Sequence, residues 1–355
     1  MLFFIPFINY VSHLDKILFA KNLALMIKVG LPLRESVAII QEQTKSKNFK
    51  KILDDVLKNI DNGQSLALSL ARHPRVFSSL YINMIKIGEE SGTLEENLGY
   101  LAQQLEKSHA LKNKVKAAMV YPVIVLSTTI LLGIGLSLFV LPKLIPVFKT
   151  LNVKLPLMTR ILIRFTEFIQ NYSLSVLISV VVLIIILSLL SRLRPVKFLT
   201  HRFFLRVPIL GLISQNINIS HFSRTLGILL RSGLPVISAL DITQTTLGNL
   251  VYQKELKGVV SEVQKGKPIS DYLKKRKSFF PSMVSRMIEI GEKTGSLEET
   301  LTYLGKFYEA EVDKLINNLS SIFEPILLLI IGAIVGFIAL AIMSPIYEIT
   351  RGLQP

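Results

Sequence analysis

Cysteine is absent from all 355 residues. No disulfide framework and no thiolate site is therefore available to this chain. Histidine is scarce: five residues, at positions 13, 73, 109, 201 and 221, are scattered and show no zinc-ligand spacing. They read as surface or packing residues. A glycine-rich phosphate loop is missing as well. Gly266-Lys267 runs into Pro268 and Gly305-Lys306 into Phe307, so nothing is placed to cradle a nucleotide. Acidic residues are outnumbered by Lys and Arg, 25 to 41, giving a formal charge of +16. That excess raises nucleic acid as a partner. The chain offers no basic groove interleaved with stacking aromatics and no nucleic-acid motif, so no nucleic acid is expected.

Charge of either sign is missing from three stretches. Residues 117–142, 168–191 and 325–347 contain no Asp, Glu, Lys or Arg. Each exceeds the roughly 20 apolar residues that carry a helix across a bilayer. Ion-coupled transporters and voltage sensors keep ionisable groups inside their spans. Here only Glu324, at the edge of the third stretch, comes near, and an intramembrane aspartyl peptidase is disfavoured on the same ground. The composition, half hydrophobic, fits an integral membrane protein with soluble parts. Anionic lipid headgroups then account for the basic residues beside the spans.

What is present is a repeat. A shift of 203 residues places Gly30-Leu31-Pro32 on Gly233-Leu234-Pro235, Gly63 on Gly266 and Phe77 on Phe280. It also places Gly88-Glu89 on Gly291-Glu292, and Gly92-Thr93-Leu94-Glu95-Glu96 on Gly295-Ser296-Leu297-Glu298-Glu299. Pro122 and Pro142 meet Pro325 and Pro345 without a gap. Two copies of one module are implied, each a polar domain followed by an apolar span. The middle span lies outside the repeat and brings the chain back, so both domains lie on one side. Eleven basic residues flank the spans on the domain side, among them Lys112, Lys114, Lys116, Arg192, Arg194 and Lys197. Six flank them opposite: Lys143, Lys149, Lys154, Arg160, Arg164 and Arg351. Positive residues stay inside, which predicts cytoplasmic domains and an external C-terminus.

The expected organisation is all-α. An apolar lead covers 1–15, the first helical domain 16–116 and the first span 117–142. A short external loop covers 143–167 and the second span 168–191. The second helical domain is 192–324, the third span 325–347 and an external tail 348–355. The lead, Leu2-Phe3-Phe4-Ile5-Pro6-Phe7-Ile8, has no basic residue before it and no small-residue cleavage site after it, unlike a signal peptide. It is too short to span. Packing under the first domain and lying on the membrane surface both stay open.

Helical spacing recurs in both domains: Ile52, Leu53, Val56, Leu57 and Ile60 in the first, Leu256, Val259, Val260 and Val263 in the second. Gly30 suits the left-handed end of one helix, and Pro32 the first turn of the next. About six short helices per copy are expected, the last running toward the span. The most specific local motif is the corner Gly88–Glu96, repeated at Gly291–Glu299. Thr93 with Glu96, and Ser296 with Glu299, have capping-box spacing. Three readings stand: a well-capped hairpin; a contact surface made by Glu89, Glu90 and Glu95; or a cation site, since clustered carboxylates suit hard metals. No fixed ligand loop accompanies them, so neither a metal nor a cofactor is assigned. Pro122 reads as an early-helix proline and Pro142 as a helix stop. Gly332 and Gly336 form a small-xxx-small pair that permits close helix approach in a membrane, within the chain or between chains. Lys274-Lys275-Arg276-Lys277 reads as a solvated basic loop.

With these residues in hand, the chain resembles the type II secretion F family of inner-membrane platform proteins. The family pattern is matched by Lys114-Val115, Ala118-Met119, Tyr121-Pro122 and Val140-Leu141-Pro142. The second copy departs from it with Glu324-Pro325 and Met343-Ser344-Pro345. The resemblance runs from about residue 16 to 350. It implies a non-enzymatic assembly platform in the cell inner membrane, with two cytoplasmic helical domains and three spans. The partners it implies are a cytoplasmic secretion or assembly ATPase engaging the first domain, pilin-like or pseudopilin subunits, other inner-membrane assembly proteins, lipids and further copies of the chain. A reading from another class is an oligomeric transporter or channel subunit, for which Ser127, Thr128 and Thr129 supply the polar cluster in the first span.

Overall fold

Glycine and serine positions set where the helices of this chain begin and end. The computed structural model describes residues 11–136, 139, 143, 157–191 and 193–352. The described residues are helical, with no strand among them. The readings of the 1–10 lead, of Val140-Leu141-Pro142, of most of the 143–167 loop and of the last three residues lie outside them. Two compact units emerge, residues 1–113 with 198–313 and residues 114–197 with 314–355.

In the first unit, copy 1 comprises α1 (His13–Lys28), α2 (Leu33–Gln43), α3 (Lys47–Asp61), α4 (Leu66–Ala71), α5 (Ser79–Ser91) and α6 (Leu94–Gly135). Two helices, α7 (Leu157–Asn171) and α8 (Ser173–Leu190), follow, and then α9 (Arg194–Phe204). Copy 2 comprises α10 (Leu210–Arg231), α11 (Val236–Thr246), α12 (Leu250–Val263), α13 (Ile269–Lys274), α14 (Ser282–Thr294) and α15 (Leu297–Asn317). The final helix is α16 (Leu319–Gly352). The 203-residue shift carries α2, α4 and α5 onto α11, α13 and α14 end to end.

The chemistry of the helix ends explains that register. Ser12 and Asp15 form a reciprocal capping box at 3.0 and 3.2 Å, and Ser46, Ser65 and Ser78 cap α3, α4 and α5. Gly30, at φ 86°, closes α1. Its N–H bonds to Ile27 O at 2.9 Å and the Leu31 N–H to Met26 O at 3.0 Å, a Schellman ending. The same pair of bonds recurs at Gly233. Pro32 and Pro235 stand one place earlier than expected, as the residues preceding α2 and α11.

Each copy buries its own core. Phe19, Leu23, Phe49, Leu53, Leu66, Phe77 and Ile85 line the first, and Phe222, Leu226, Tyr252, Leu256, Ile269, Phe280 and Ile288 the second, position for position. The copies meet through unlike faces. Copy 1 presents the α5–α6 hairpin: Met84 is buried in the core cluster of copy 2, with Leu80, Ile87 and Tyr100 against it. Copy 2 presents α10 and α11. Ser232 Oγ donates to Asn97 Oδ1 at 2.8 Å and Arg231 Nη1 to Tyr100 OH at 2.8 Å. Glu309 accepts from Lys107 of copy 1 and from Arg224 of its own copy.

His221 makes the second bundle pH-sensitive. Burial, reinforced by the charge of Arg224, pushes His221 down from 6.5 to about 4. The folded chain holds the ring neutral while the unfolded chain takes up a proton near pH 6.5. The stability it contributes is full above that pH and is lost as pH falls toward 4. Copy 1 carries Leu18 at the matching place. Thermal unfolding followed by circular dichroism in detergent should therefore show a smaller acid-side loss for His221→Leu than for the natural chain.

The second unit holds the apolar helices. Among the described residues two helices are long and apolar enough to cross a membrane, within Leu94–Gly135 and Phe323–Ala341. Their apolar side chains are hardly buried by the chain itself: Leu131, Leu328 and Leu329 are all exposed. Pro122 lies well inside α6 rather than in its first turn, so it removes an internal hydrogen bond there. The expected middle span, 168–191, is divided at Tyr172 between α7 and the 18-residue α8. Part of the expected 143–167 loop is helical too. Thr159, Ile163 and Thr166 of α7 are buried, and Thr159 Oγ1 donates to Ala341 O of α16 at 2.7 Å. A Cβ added at Gly332 or Gly336 would meet no described atom within 4 Å.

Candidate partner-binding surface

The corner between α5 and α6 is built by two glycines. Gly92 ends α5 at φ 73°, a conformation that costs L side chains energy. Gly88 lets α6 approach: a Cβ there would stand 2.7 Å from Leu94 Cα. Gly295 and Gly291 repeat both roles, the latter at 3.0 Å from Leu297 Cα.

The three glutamates of the corner separate in space. Glu89 turns inward, and its carboxylate accepts from the N–H groups of Leu66 (2.6 Å) and Ala67 (3.0 Å) at the start of α4. Glu292 makes the same pair of bonds to Ile269 and Ser270, at 2.6 and 3.2 Å. An anion at a helix N-terminus satisfies donors that have no partner within the helix. Glu89 is thus engaged in holding α4 to α5, which also removes it from any carboxylate cluster for a cation. Its replacement by alanine should cost about 1–2 kcal/mol, in the range of a lost cap, as read by denaturation of the full chain in detergent. A change near zero would free Glu89 for a surface role.

Glu90 is exposed and lies 3.8 Å from Lys86. In copy 2 the polarity of this pair is reversed, Lys293 with Glu289 at 2.8 Å. Lys293 and Lys274 together hold the Glu289 carboxyl down at about 2. Residues 86–96 and 289–299 each contain one lysine and four glutamates. The two corners therefore carry equal charge, and the exchange of Glu90 for Lys293 gives copy 1 no acidic surplus. The capping boxes expected at this corner are also not formed as read. Thr93 Oγ1 pairs with Ser91 Oγ, and Ser296 Oγ with Thr294 Oγ1, each at 2.6 Å. The basic run of copy 2 is no loose loop: Lys274 pairs with Glu289 and Arg276 with Glu255, both at 3.0 Å.

Glu95 faces Lys28 at 3.8 Å, on the rim of an open groove of about 490 Å³ between α1 and α6. Lys21, Ala24, Glu96, Gly99, Tyr100, Gln103 and Glu106 line it, so Tyr100 stands between this groove and copy 2. Here the copies do differ. The matching cavity of copy 2, about 220 Å³, is lined by Arg224, Gly227, Thr302 and Lys306 and has Tyr100 of copy 1 in its wall. No local motif signals this difference, because the repeat places homologous residues in both.

The repeat is also how known proteins match. The family described as "Type II secretion system (T2SS), protein F" matches residues 19–142 and again 222–345, the same 203-residue shift. The chain belongs to the type II secretion system protein F family. Among its relatives is a type IV pilus assembly protein PilC of Thermus thermophilus, 34% identical over 96% of this chain and 84% of that protein. A PilC of Pseudomonas aeruginosa is 32% identical over 96% and 91%. A type II secretion system protein F of Vibrio cholerae is 28% identical over 96% and 84%. Each family segment contains one of the two helices that, among the described residues, are long and apolar enough to cross a membrane.

Proposed function

We propose that this chain is a non-enzymatic assembly platform of the inner membrane, serving a secretion or type IV pilus machine. The observation that carries the reading is the double family match, shared with relatives named for pilus assembly and type II secretion. Both bundles face the cytoplasm. The spans are the apolar part of α6, α8 and α16, with α8 returning the chain to the cytoplasm. Their exposed apolar side chains suit lipid. A cytoplasmic ATPase engages copy 1 at the exposed surface that carries Glu90 and Glu95, each beside a lysine, and the apolar helices guide pilin-like subunits out of the bilayer. These paired surface charges contribute to orientation and encounter rather than to strong affinity.

Topology tests the frame. Reporter fusions after residue 110, within 145–165, after 260 and at the C-terminus should read inside, outside, inside and outside. Residues 110 and 260 on opposite sides would sink the platform reading. The ATPase contact is tested by reversing Glu90 and Glu95 to lysine. Capture of the ATPase by the full chain should weaken, most at low salt, with helical content unchanged. Normal capture at unchanged fold would move the contact elsewhere on copy 1.

A further inference from the structure

The junction between the two copies is head-to-tail, and that leaves one of each face unused. The α5–α6 face of copy 1 is covered by the α10–α11 face of copy 2. By the 203-residue shift, copy 2 carries its own version of the first face on α14 and α15, and copy 1 its own version of the second on α1 and α2. Tyr303 matches Tyr100, Ile290 matches Ile87 and Met287 matches Met84. Tyr303 is 52% exposed and Ile290 53%. On the other side Leu25 matches Ile228, Lys28 matches Arg231 and Val29 matches Ser232. Leu25 is 60% exposed and Val29 69%. With Leu14 and Leu18 they form one stripe on α1, opposite the buried Phe19 and Leu23.

The composition of the free faces runs against solvation. Ser232, Gln104 and Lys107 lie at the covered junction, yet their exposed or half-exposed counterparts are Val29, Phe307 and Ala310. A face meant for water would show the reverse. Tyr303 and Phe307 stack with centroids 6.3 Å apart, forming a flat aromatic surface. The acceptor is shaped for it. The open groove of copy 1, with Lys21, Ala24, Gly99 and Gln103, is the counterpart of the copy 2 cavity that has Tyr100 in its wall.

We propose that the α14–α15 face of one chain docks onto α1 of a second copy of the same chain, with Tyr303 entering the α1–α6 groove. The intrachain junction is thereby repeated from chain to chain. Lys28 meets Tyr303 as Arg231 meets Tyr100, and apolar contacts of Leu25 and Val29 with Tyr303 and Phe307 replace the Ser232–Asn97 and Lys107–Glu309 bonds. A contact between unlike faces does not saturate in a dimer; it closes as a ring or continues. This inference goes beyond the platform reading and does not depend on an ATPase.

The absence of cysteine makes the test clean. Val29→Cys and Tyr303→Cys, combined in the full chain and treated in native membranes with a short bis-maleimide, should give dimers and higher multimers. Either variant alone should remain monomeric, and co-production of the two singles under different tags should give only the mixed dimer. Tyr100→Cys with Arg231→Cys, an exposed pair at the intrachain junction, should close without joining chains and serves as the control. The proposal is overturned if the control closes while Val29→Cys/Tyr303→Cys joins no chains. It is equally overturned if Val29→Cys alone forms dimers, since that is a contact between like faces. Because both side chains are exposed, folding is checked by unchanged circular dichroism. Leu25→Arg provides an independent arm: it should shift the detergent-solubilised natural chain to monomer in multi-angle light scattering, and an unchanged mass would count against the groove.

Discussion

Replacing Phe77 with alanine is expected to destabilise the first bundle by about 3–5 kcal/mol, the range for a fully buried aromatic ring. Phe77 is 1% exposed and sits 5.0 Å from the Tyr81 ring, 6.1 Å from Phe19 and 6.3 Å from Phe49. Its removal leaves a cavity at the point where α1, α3 and α5 converge. Phe280 holds the same place in copy 2, 6.1 Å from Phe222 and 5.6 Å from Tyr252. Phe280→Ala should therefore cost a similar amount. Circular dichroism of the full chain in denaturant, with detergent held constant, measures both. A loss below about 1 kcal/mol at either site would mean that the site collapses far more easily than a well-packed core does. Domains of this size are stabilised by about 5–15 kcal/mol in total, so either truncation removes a large share.

Gly88→Ala should also destabilise, by about 1–3 kcal/mol, as overpacking does when backbone must move. The new Cβ would lie 2.7 Å from Leu94 Cα and 3.2 Å from Leu94 N. Both are backbone atoms and cannot swing aside as a side chain can. The α5–α6 corner would open, and with it the face that Met84 and Tyr100 present to copy 2. Gly291→Ala meets Leu297 Cα at 3.0 Å and Thr300 Oγ1 at 2.8 Å, so it should be the milder of the two because the threonine can rotate. Denaturation midpoints separate them. Equal or smaller loss in Gly88→Ala than in Gly291→Ala would contradict this account.

The duplicated frame was legible in sequence because glycine and proline occupy fixed backbone conformations: Gly30, Gly63 and Gly92 all take positive φ, as do Gly233, Gly266 and Gly295. The role of Glu89 was not. Its partners, the N–H groups of Leu66 and Ala67, lie more than twenty residues back, and a backbone donor leaves no mark in side-chain identity. Thr93 and Glu96 had the spacing of a capping box, but Ser91 offered the threonine hydroxyl a nearer partner. The repeat sets Glu90 opposite Lys293, but it also sets Lys86 opposite Glu289, so the two corners carry the same charge. The apolar stretch around Pro122 suggests an early-helix position, whereas its helix begins far earlier, at Leu94. Least legible was the junction. A repeat aligns Tyr100 with Tyr303 and Arg231 with Lys28, and only packing reveals that one of each pair is engaged.

That unequal use of equal parts has a kinetic meaning. Two bundles on one chain meet at an effective concentration set by their tether, a regime in which weak contacts are made almost continuously. The same pair of faces on separate chains has no such tether, and its occupancy depends on how many chains are present. The Tyr100 contact is thus closed as soon as a chain has folded, whereas the Tyr303 contact responds to how many chains are crowded together. On the proposed docking the chain responds to its own local abundance: it is a one-piece protomer when sparse and joins into a directional array as copies accumulate.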